Sequence, residues 1–481
     1  MSQPPKRSRM QNETHYENSV PQRSPTIGPA SYSRAPLRAP HPPMTRRNTI
    51  SLSPQERAGI LASIKKLVPK HQINVSGVDY DEWTARVDQR TSELLAAETG
   101  KFESGVRQLL LEFGSSHTAF YHERGKEILP QHSINATLSS FLQAGTKRWF
   151  FLDVFEAGPA HTAGIKPGDL LVAVEGAEYL PPSMPPFHVG RTYSLSIADA
   201  RGQNTRQVVV EVPKRKGTRA RPPIVEPKSL SHSMLAPGVG LLKIVYFAGA
   251  MGLGFAKELD RAIAHLKRNG TSRLIIDLRG NIGGGLGLAR LASYMCPGQM
   301  PIGYSLTPRR LRMGYKTEDL PSVPMPRSMM KLLWTLARFL FRDKSIFLLT
   351  QGLGPQPFHG HIVVLVNEWT NSAAEMVVGF AAEHGFATII GKQTAGNVLG
   401  AANFKVGGGY WVRLPVFGWY TSKGNCLEGK GVAPDVVVEV DPALLNAGVD
   451  QQMNKAIEIL GGMESDLRAA TGSIGEHHRE A

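Results

Sequence analysis

Between Gly238 and Val440 short apolar runs alternate with amphipathic ones, and this alternation restricts the fold more than any other feature of the chain. Residues 241–247 predict a strand, 253–267 a helix, 274–277 a buried strand and 286–294 a helix. Residues 362–366, 372–384 and 387–391 repeat the order strand, helix, strand. Strands alternating with helices favour a layered α/β domain.

The flanking segments have different periods. Ser53 reads as an N-cap and Pro54 as a first helical residue. Ile60, Leu61, Ile64, Leu67, Leu94, Leu95, Val106, Leu109 and Leu110 then recur at helical spacing, predicting a helical region over 52–125. Residues 146–212 read as a small β unit, in which apolar strands flank Ala163-Gly164-Ile165-Lys166-Pro167-Gly168-Asp169. The nine prolines and few large apolar residues of the first fifty predict a disordered tail over 1–51. Residues 213–230, rich in Pro and Arg, read as a basic linker. The α/β domain is then expected over 231–445, with an insertion at 297–355 and a C-terminal helix and tail over 446–481.

Three segments carry side chains or amides suited to chemistry. Asp277-Leu278-Arg279-Gly280-Asn281-Ile282-Gly283-Gly284-Gly285 follows a buried strand and precedes a helix. Its glycines leave N–H groups able to face a ligand, although a plain tight turn has the same composition. Ser372 follows the strand over 362–366 and opens a helix, as an exposed nucleophile does; a helix cap has the same position. The next amide, that of Ala373, is placed to meet an oxyanion. Ser116-His117 is the third segment, and a lone histidine is also compatible with a structural role. Glu375, one turn along the helix from Ser372, reads as structural.

Taken in order, DLRGNIGGG, VLVNEWTNSAAE, GKQTAG and EGKGVAPD resemble the S41 family of serine peptidases, which includes the carboxy-terminal processing (tail-specific) peptidases and the tricorn protease. The β unit over 146–212 resembles a PDZ domain of bacterial proteases. The resemblance implies a crotonase-like catalytic domain preceded by the PDZ-like domain and an N-terminal helical region. It also implies a serine endopeptidase without cofactor or metal, acting on polypeptides. In the processing peptidases a Lys assists the nucleophile, but the matching position here is Asn397, and Lys392 and Lys405 do not match the motif. The tricorn-like branch uses a Ser-His-Ser-Glu tetrad. That pattern implies Ser372 as nucleophile, His117 as base, and Ser116 and Glu428 as its supports, with Glu428 displaced by one residue in its motif. Gly283, Gly284 and Ala373 are implied as oxyanion donors. The PDZ-like unit would engage the substrate chain or its C-terminus by strand addition. The missing Lys leaves a second reading open, a catalytically inactive peptide-binding homologue.

Charge and composition bound the partners. The net charge of +15 is concentrated in residues 1–50, 213–222 and 300–344. A tail, a linker and an insertion do not make the basic stripe of a nucleic-acid binder. Cys296 and Cys426 are too few for a disulfide framework or a four-thiolate zinc site. No apolar segment follows the basic N-terminus, which predicts a cytoplasmic chain; the family resemblance admits a periplasmic one. Residues 329–341 form a short basic and apolar segment that would pack on the protein, join a partner helix or lie on a membrane surface.

Overall fold

The computed structural model describes residues 51–123, 133–185, 187–188, 190–213, 228–249, 251–325, 345–353 and 361–461, together with Met330 and Phe358. The expected N-terminal tail, the body of the basic linker, the segment 329–341 apart from Met330 and the end of the C-terminal tail lie outside the described residues.

Three helices open the described chain: α1 (Pro54–His71), α2 (Tyr80–Ala96) and α3 (Thr99–Leu111). Ser53 begins α1 with a capping box, its backbone N–H donating to the Glu56 carboxylate at 2.8 Å. Ile60, Leu61, Ile64, Leu94, Val106, Leu109 and Leu110 meet in one core around Trp83 and Phe102. This region is not wholly helical. Its last part is strand β1 (Ala119–His122), whose Phe120 joins the same core.

The next strands in sequence form a sheet of their own. It contains β2 (Ala136–Gln143), β3 (Thr146–Val154), β4 (Leu170–Val174), β5 (Ala177–Glu178), β6 (Thr192–Ala198) and β7 (Arg206–Glu211). The strand order is β2-β3-β4-β6-β7, with β5 on β4. Its own core is built from Leu138, Phe151, Leu171, Leu195, Ile197 and Val210 among others. A boundary at 146 therefore cuts this sheet: β2 pairs with β3 from Ala136 onward, a contact whose partner strand lies beyond the predicted start.

The α/β domain contains two further sheets. Strands β8 (Leu230–Ala236), β9 (Val239–Ile244), β10 (Arg273–Asp277), β14 (Ile362–Val366), β15 (Thr388–Gly391) and β18 (Val436–Val437) form one, in the order β18-β15-β14-β10-β9-β8. All neighbours from β9 to β18 are parallel. Every residue of β14 is buried, as parallel strands covered on both faces must be. The other sheet takes β11 (Pro301–Leu306), β12 (Ser322–Pro324), β13 (Ile346–Leu349), β16 (Gly400–Gly407) and β17 (Tyr410–Thr421) together with β1. The stretch 297–355 is thus not a simple insertion. Its β11 pairs with β17 and its β13 with β11, through non-local contacts that leave no local period in the sequence.

The helix Ala373–His384 lies between these sheets. Residues 373–381 are all buried, and they share a core with Val364 and Val366 of β14 and Trp419 of β17. The amphipathic helix Leu253–Arg268 contributes Phe255, Leu259, Ala262, Ile263 and Leu266 to the same core.

The β2–β7 unit is fastened to the loop after β14. Leu138 carbonyl accepts the Trp369 indole N–H at 2.8 Å, and Ser139 Oγ donates to Glu368. Replacing Trp369 by Phe keeps an aromatic ring but orphans the buried Leu138 carbonyl, a loss of about 1–3 kcal/mol. The expected outcome in Trp369→Phe is faster amide hydrogen exchange across β2, with the helix Leu253–Arg268 unchanged. Uniform acceleration in both would contradict this local coupling.

Candidate active site

The loop after β14 places Ser372 by hydrogen bonds to the glycine-rich loop after β10. Asn367 Oδ1 accepts the N–H groups of Gly280 and Trp369, each at 3.0 Å. Thr370 Oγ1 donates to the Leu278 carbonyl at 2.9 Å, and Asn371 N–H donates to the Asn281 carbonyl at 2.7 Å. Ser372 itself has φ 55° and ψ −119°, a strained conformation for a side chain other than glycine. Gly283 has φ +89°, and a Cβ there would lie 2.6 Å from Ser372 Cβ and 2.9 Å from Ala373 N. The two expected loops therefore meet at Ser372, with glycine required at 283 by both conformation and space.

Glu375 does more than extend the helix. Its carboxylate accepts Ser372 N–H (3.0 Å), Thr394 Oγ1 (2.7 Å), Gly396 N–H (2.6 Å) and Asn397 N–H (2.8 Å). It is fully buried, and burial pushes its carboxyl above the usual glutamate value against the pull of these donors. The sequence carried one signal for this role, an acid three residues into a helix that starts at Ser372.

A second cluster joins Ser116, His117 and Glu428. Ser116 N–H donates to Glu428 Oε1 at 2.7 Å, and Ser116 Oγ donates to Glu428 Oε2 at 3.0 Å. Ser116 Oγ is also 2.8 Å from His117 Nδ1. Because the serine proton is directed to the carboxylate, this network assigns the Nδ1–H donor to His117 and leaves Nε2 with its lone pair. Val398 N–H donates to Glu428 Oε2 at 2.9 Å. Burial raises the Glu428 carboxyl, opposed by these donors. His117 is shifted the other way, lowered to about 4, first by burial and then by the Arg413 charge.

The turn at 394–399 connects the clusters, since adjacent amides at Asn397 and Val398 serve Glu375 and Glu428 respectively. Among the described residues no hydrogen bond joins His117 to Ser372 Oγ. Asn397 Nδ2 donates to Asn371 Oδ1 at 2.7 Å, so it braces the residue before Ser372. Lys392 is paired with Glu439 at 3.0 Å, and Lys405 lies 5.2 Å from the Trp411 ring centroid.

The expected oxyanion donors divide. Gly283 N–H donates to Asn281 Oδ1 at 2.8 Å in an Asx turn, so it is occupied rather than open. Among the described residues no acceptor bonds the N–H of Gly284 or Ala373. Both cysteines are free thiols, and no cluster of metal-ligating side chains occurs among the described residues. No helix among the described residues is long and apolar enough to cross a membrane.

A mixed α/β domain that brings a glycine loop against a strained serine at a helix start defines the class. Residues 238–438 match the family model of peptidase family S41. That stretch, fewer than half of the 481 residues, is similar to that family. The chain is 24% identical over 322 residues to a carboxyl-terminal-processing protease of Synechocystis sp., covering 63% of each chain. It is 23% identical over 288 residues to a probable CtpA-like serine protease of Staphylococcus aureus, covering 59% of this chain and 49% of that one. The chain thus spans about half to two thirds of the length of these curated relatives. Among solved structures it resembles the photosystem II D1 C-terminal processing protease, with TM-score 0.51, 18% identity and coverage of 81% of this chain and 94% of that one. It also resembles mature CPAF complexed with lactacystin, with TM-score 0.52, 16% identity and coverage of 85% and 98%. These likenesses establish the fold.

The environment of His117 has a direct consequence. Its lowered pKa keeps the ring neutral at pH 7. An NMR titration of the ring is expected to show a midpoint well below the ordinary value of about 6.5. A midpoint at or above 6.5 would contradict the burial that the structure gives this ring.

Proposed function

We propose that this chain is a serine endopeptidase in which Ser372 is the nucleophile and His117 the general base. The observation that carries this reading is the Glu428–Ser116–His117 network, which orients the imidazole with Nε2 free. A serine hydroxyl is a weak nucleophile without such a base. As Ser372 Oγ attacks the peptide carbonyl carbon, His117 Nε2 takes its proton. Ser116 and Glu428 stabilise the imidazolium that forms. The tetrahedral oxyanion is held by the N–H groups of Ala373 and Gly284, each such donor being worth about 3–4 kcal/mol in comparable sites. Gly283 joins them if Asn281 releases its amide. His117 then gives its proton to the leaving amine, and water cleaves the acyl-enzyme by the same base.

The catalytic domain is read as crotonase-like and the β2–β7 unit as PDZ-like. The unit engages the substrate chain or its C-terminus by strand addition and delivers it to Ser372. Support comes from β2, an edge strand of its sheet whose Leu138 touches the loop carrying Ser372. The substrates are polypeptides, and the names of the relatives favour cleavage near a C-terminus. No role is assigned to nucleic acid, metal or cofactor. A cytoplasmic or periplasmic setting is compatible with this chemistry.

A second reading, an inactive peptide-binding homologue, is favoured by two observations: Gly283 N–H is occupied, and among the described residues no hydrogen bond joins His117 to Ser372. Casein hydrolysis separates the two. The expected result is hydrolysis by the wild type, its loss in Ser372→Ala and in His117→Ala by at least about a hundredfold, and its retention in Lys392→Ala. Failure of the purified wild type to cleave would support the inactive reading. Full activity in a folded His117→Ala variant would remove His117 as the base.

A further inference from the structure

The ribbon β1–β17–β16 has a second face, opposite the helical core. In β17 the side chains of Tyr410, Val412 and Leu414 pack with α1–α3, so Trp411 and Arg413 belong to the other face. Strand register aligns Ala119, Arg413 and Asn403 in one rung, and Tyr121, Trp411 and Lys405 in the next. Tyr121 hydroxyl donates to Asn403 Oδ1 at 3.1 Å, reaching across β17 between these rungs. Lys405 lies over the Trp411 ring. The Arg413 rung begins two residues after His117, and the Arg413 charge is one of the influences that lower the pKa of that ring.

Arg413 differs in its partners from Arg279 and Arg290. Arg279 is paired with Asp277 and Asp450, and Arg290 with Asp260. Arg413 is half-buried, burial lowers its pKa, and among the described residues no carboxylate lies within ion-pair distance. A guanidinium that has lost part of its hydration and gained no counter-ion is costly to keep. Its planar fork matches a carboxylate, which would offset that cost. The position is therefore built for an anion that arrives with a ligand.

We propose that Arg413 is a specificity residue of the peptidase site, binding a carboxylate of the polypeptide substrate beside His117. Tyr121 and Trp411 flank the bound chain, and acidic substrates are preferred over neutral ones. This rests on the endopeptidase reading of Ser372, so the test has an arm that does not need turnover.

The probes are fluorogenic decapeptides with amidated C-termini that differ by Glu or Gln at each position near the scissile bond, and one Gln peptide with a free C-terminus. The wild type is expected to cleave the best-placed Glu peptide about tenfold or more faster in kcat/KM than its Gln counterpart, the scale of one charge-assisted bond. Arg413→Gln is expected to erase that preference and Arg413→Lys to keep part of it, with thermal unfolding of both variants close to wild type. If the free C-terminus alone gives the Arg413-dependent preference, the bound carboxylate is the terminal one. No preference in the wild type, or an equal preference in Arg413→Gln, overturns the proposal. In the second arm, fluorescence anisotropy measures binding of the same peptides to Ser372→Ala and to Ser372→Ala with Arg413→Gln. A Glu preference lost with Arg413 supports the subsite even if the wild type hydrolyses nothing, an outcome that would remove the endopeptidase reading alone. Equal binding by both proteins overturns the subsite.

Discussion

The carboxylate of Glu428 holds together parts of the chain that are 312 residues apart. It accepts Ser116 N–H, Ser116 Oγ and Val398 N–H, and through Ser116 it fixes the orientation of His117. A buried carboxylate without such donors would be driven to its neutral form. With them, it accepts three hydrogen bonds and stands at the end of a chain that runs through Ser116 to His117. The N-terminal helices matter to the site for this reason. They form the core on which β1 lies, and β1 begins directly after the Ser116-His117 turn.

A second carboxylate, this one fully buried, does the equivalent work for Ser372. Glu375 gathers the Ser372 amide and three donors from the 394–397 turn. Both acids are thus served by one short turn, Glu375 by Asn397 and Glu428 by Val398. A displacement of that turn would move Ser372 and the Ser116–His117 pair together. The strained backbone at Ser372 is tolerated because the helix behind it is buried between two sheets and the loop before it is tied to the glycine loop.

Much of this was legible in the sequence where the signal is local. The all-apolar strand 362–366, the amphipathic helix 253–268 and the Ser53-Pro54 helix start follow from period and capping chemistry. The candidate residues Ser116, His117 and Glu428 meet in one network, and Ser372, Ala373 and Gly283 meet in another. What was not legible depends on partners distant in the chain. A boundary at 146 excludes strand β2, and an insertion over 297–355 takes in β11 and β13, because the pairing of β2 with β3, of β11 with β17 and of β13 with β11 leaves no mark on their own periodicity. The occupation of Gly283 N–H by Asn281 is a matter of side-chain rotation that spacing does not encode. The four-donor role of Glu375 and the isolation of Arg413 likewise depend on which groups the tertiary fold brings near them.

The central claim is that Ser116 and Glu428 make His117 an effective base for Ser372. The rate at which a fluorophosphonate labels Ser372 measures this most directly, because it reports the activated hydroxyl without a requirement for substrate docking. The account predicts labelling of the wild type and a fall of at least about a hundredfold in Glu428→Gln and Ser116→Ala, as expected when a base loses the group that fixes its tautomer. Labelling of folded Glu428→Gln and Ser116→Ala at the wild-type rate would contradict it.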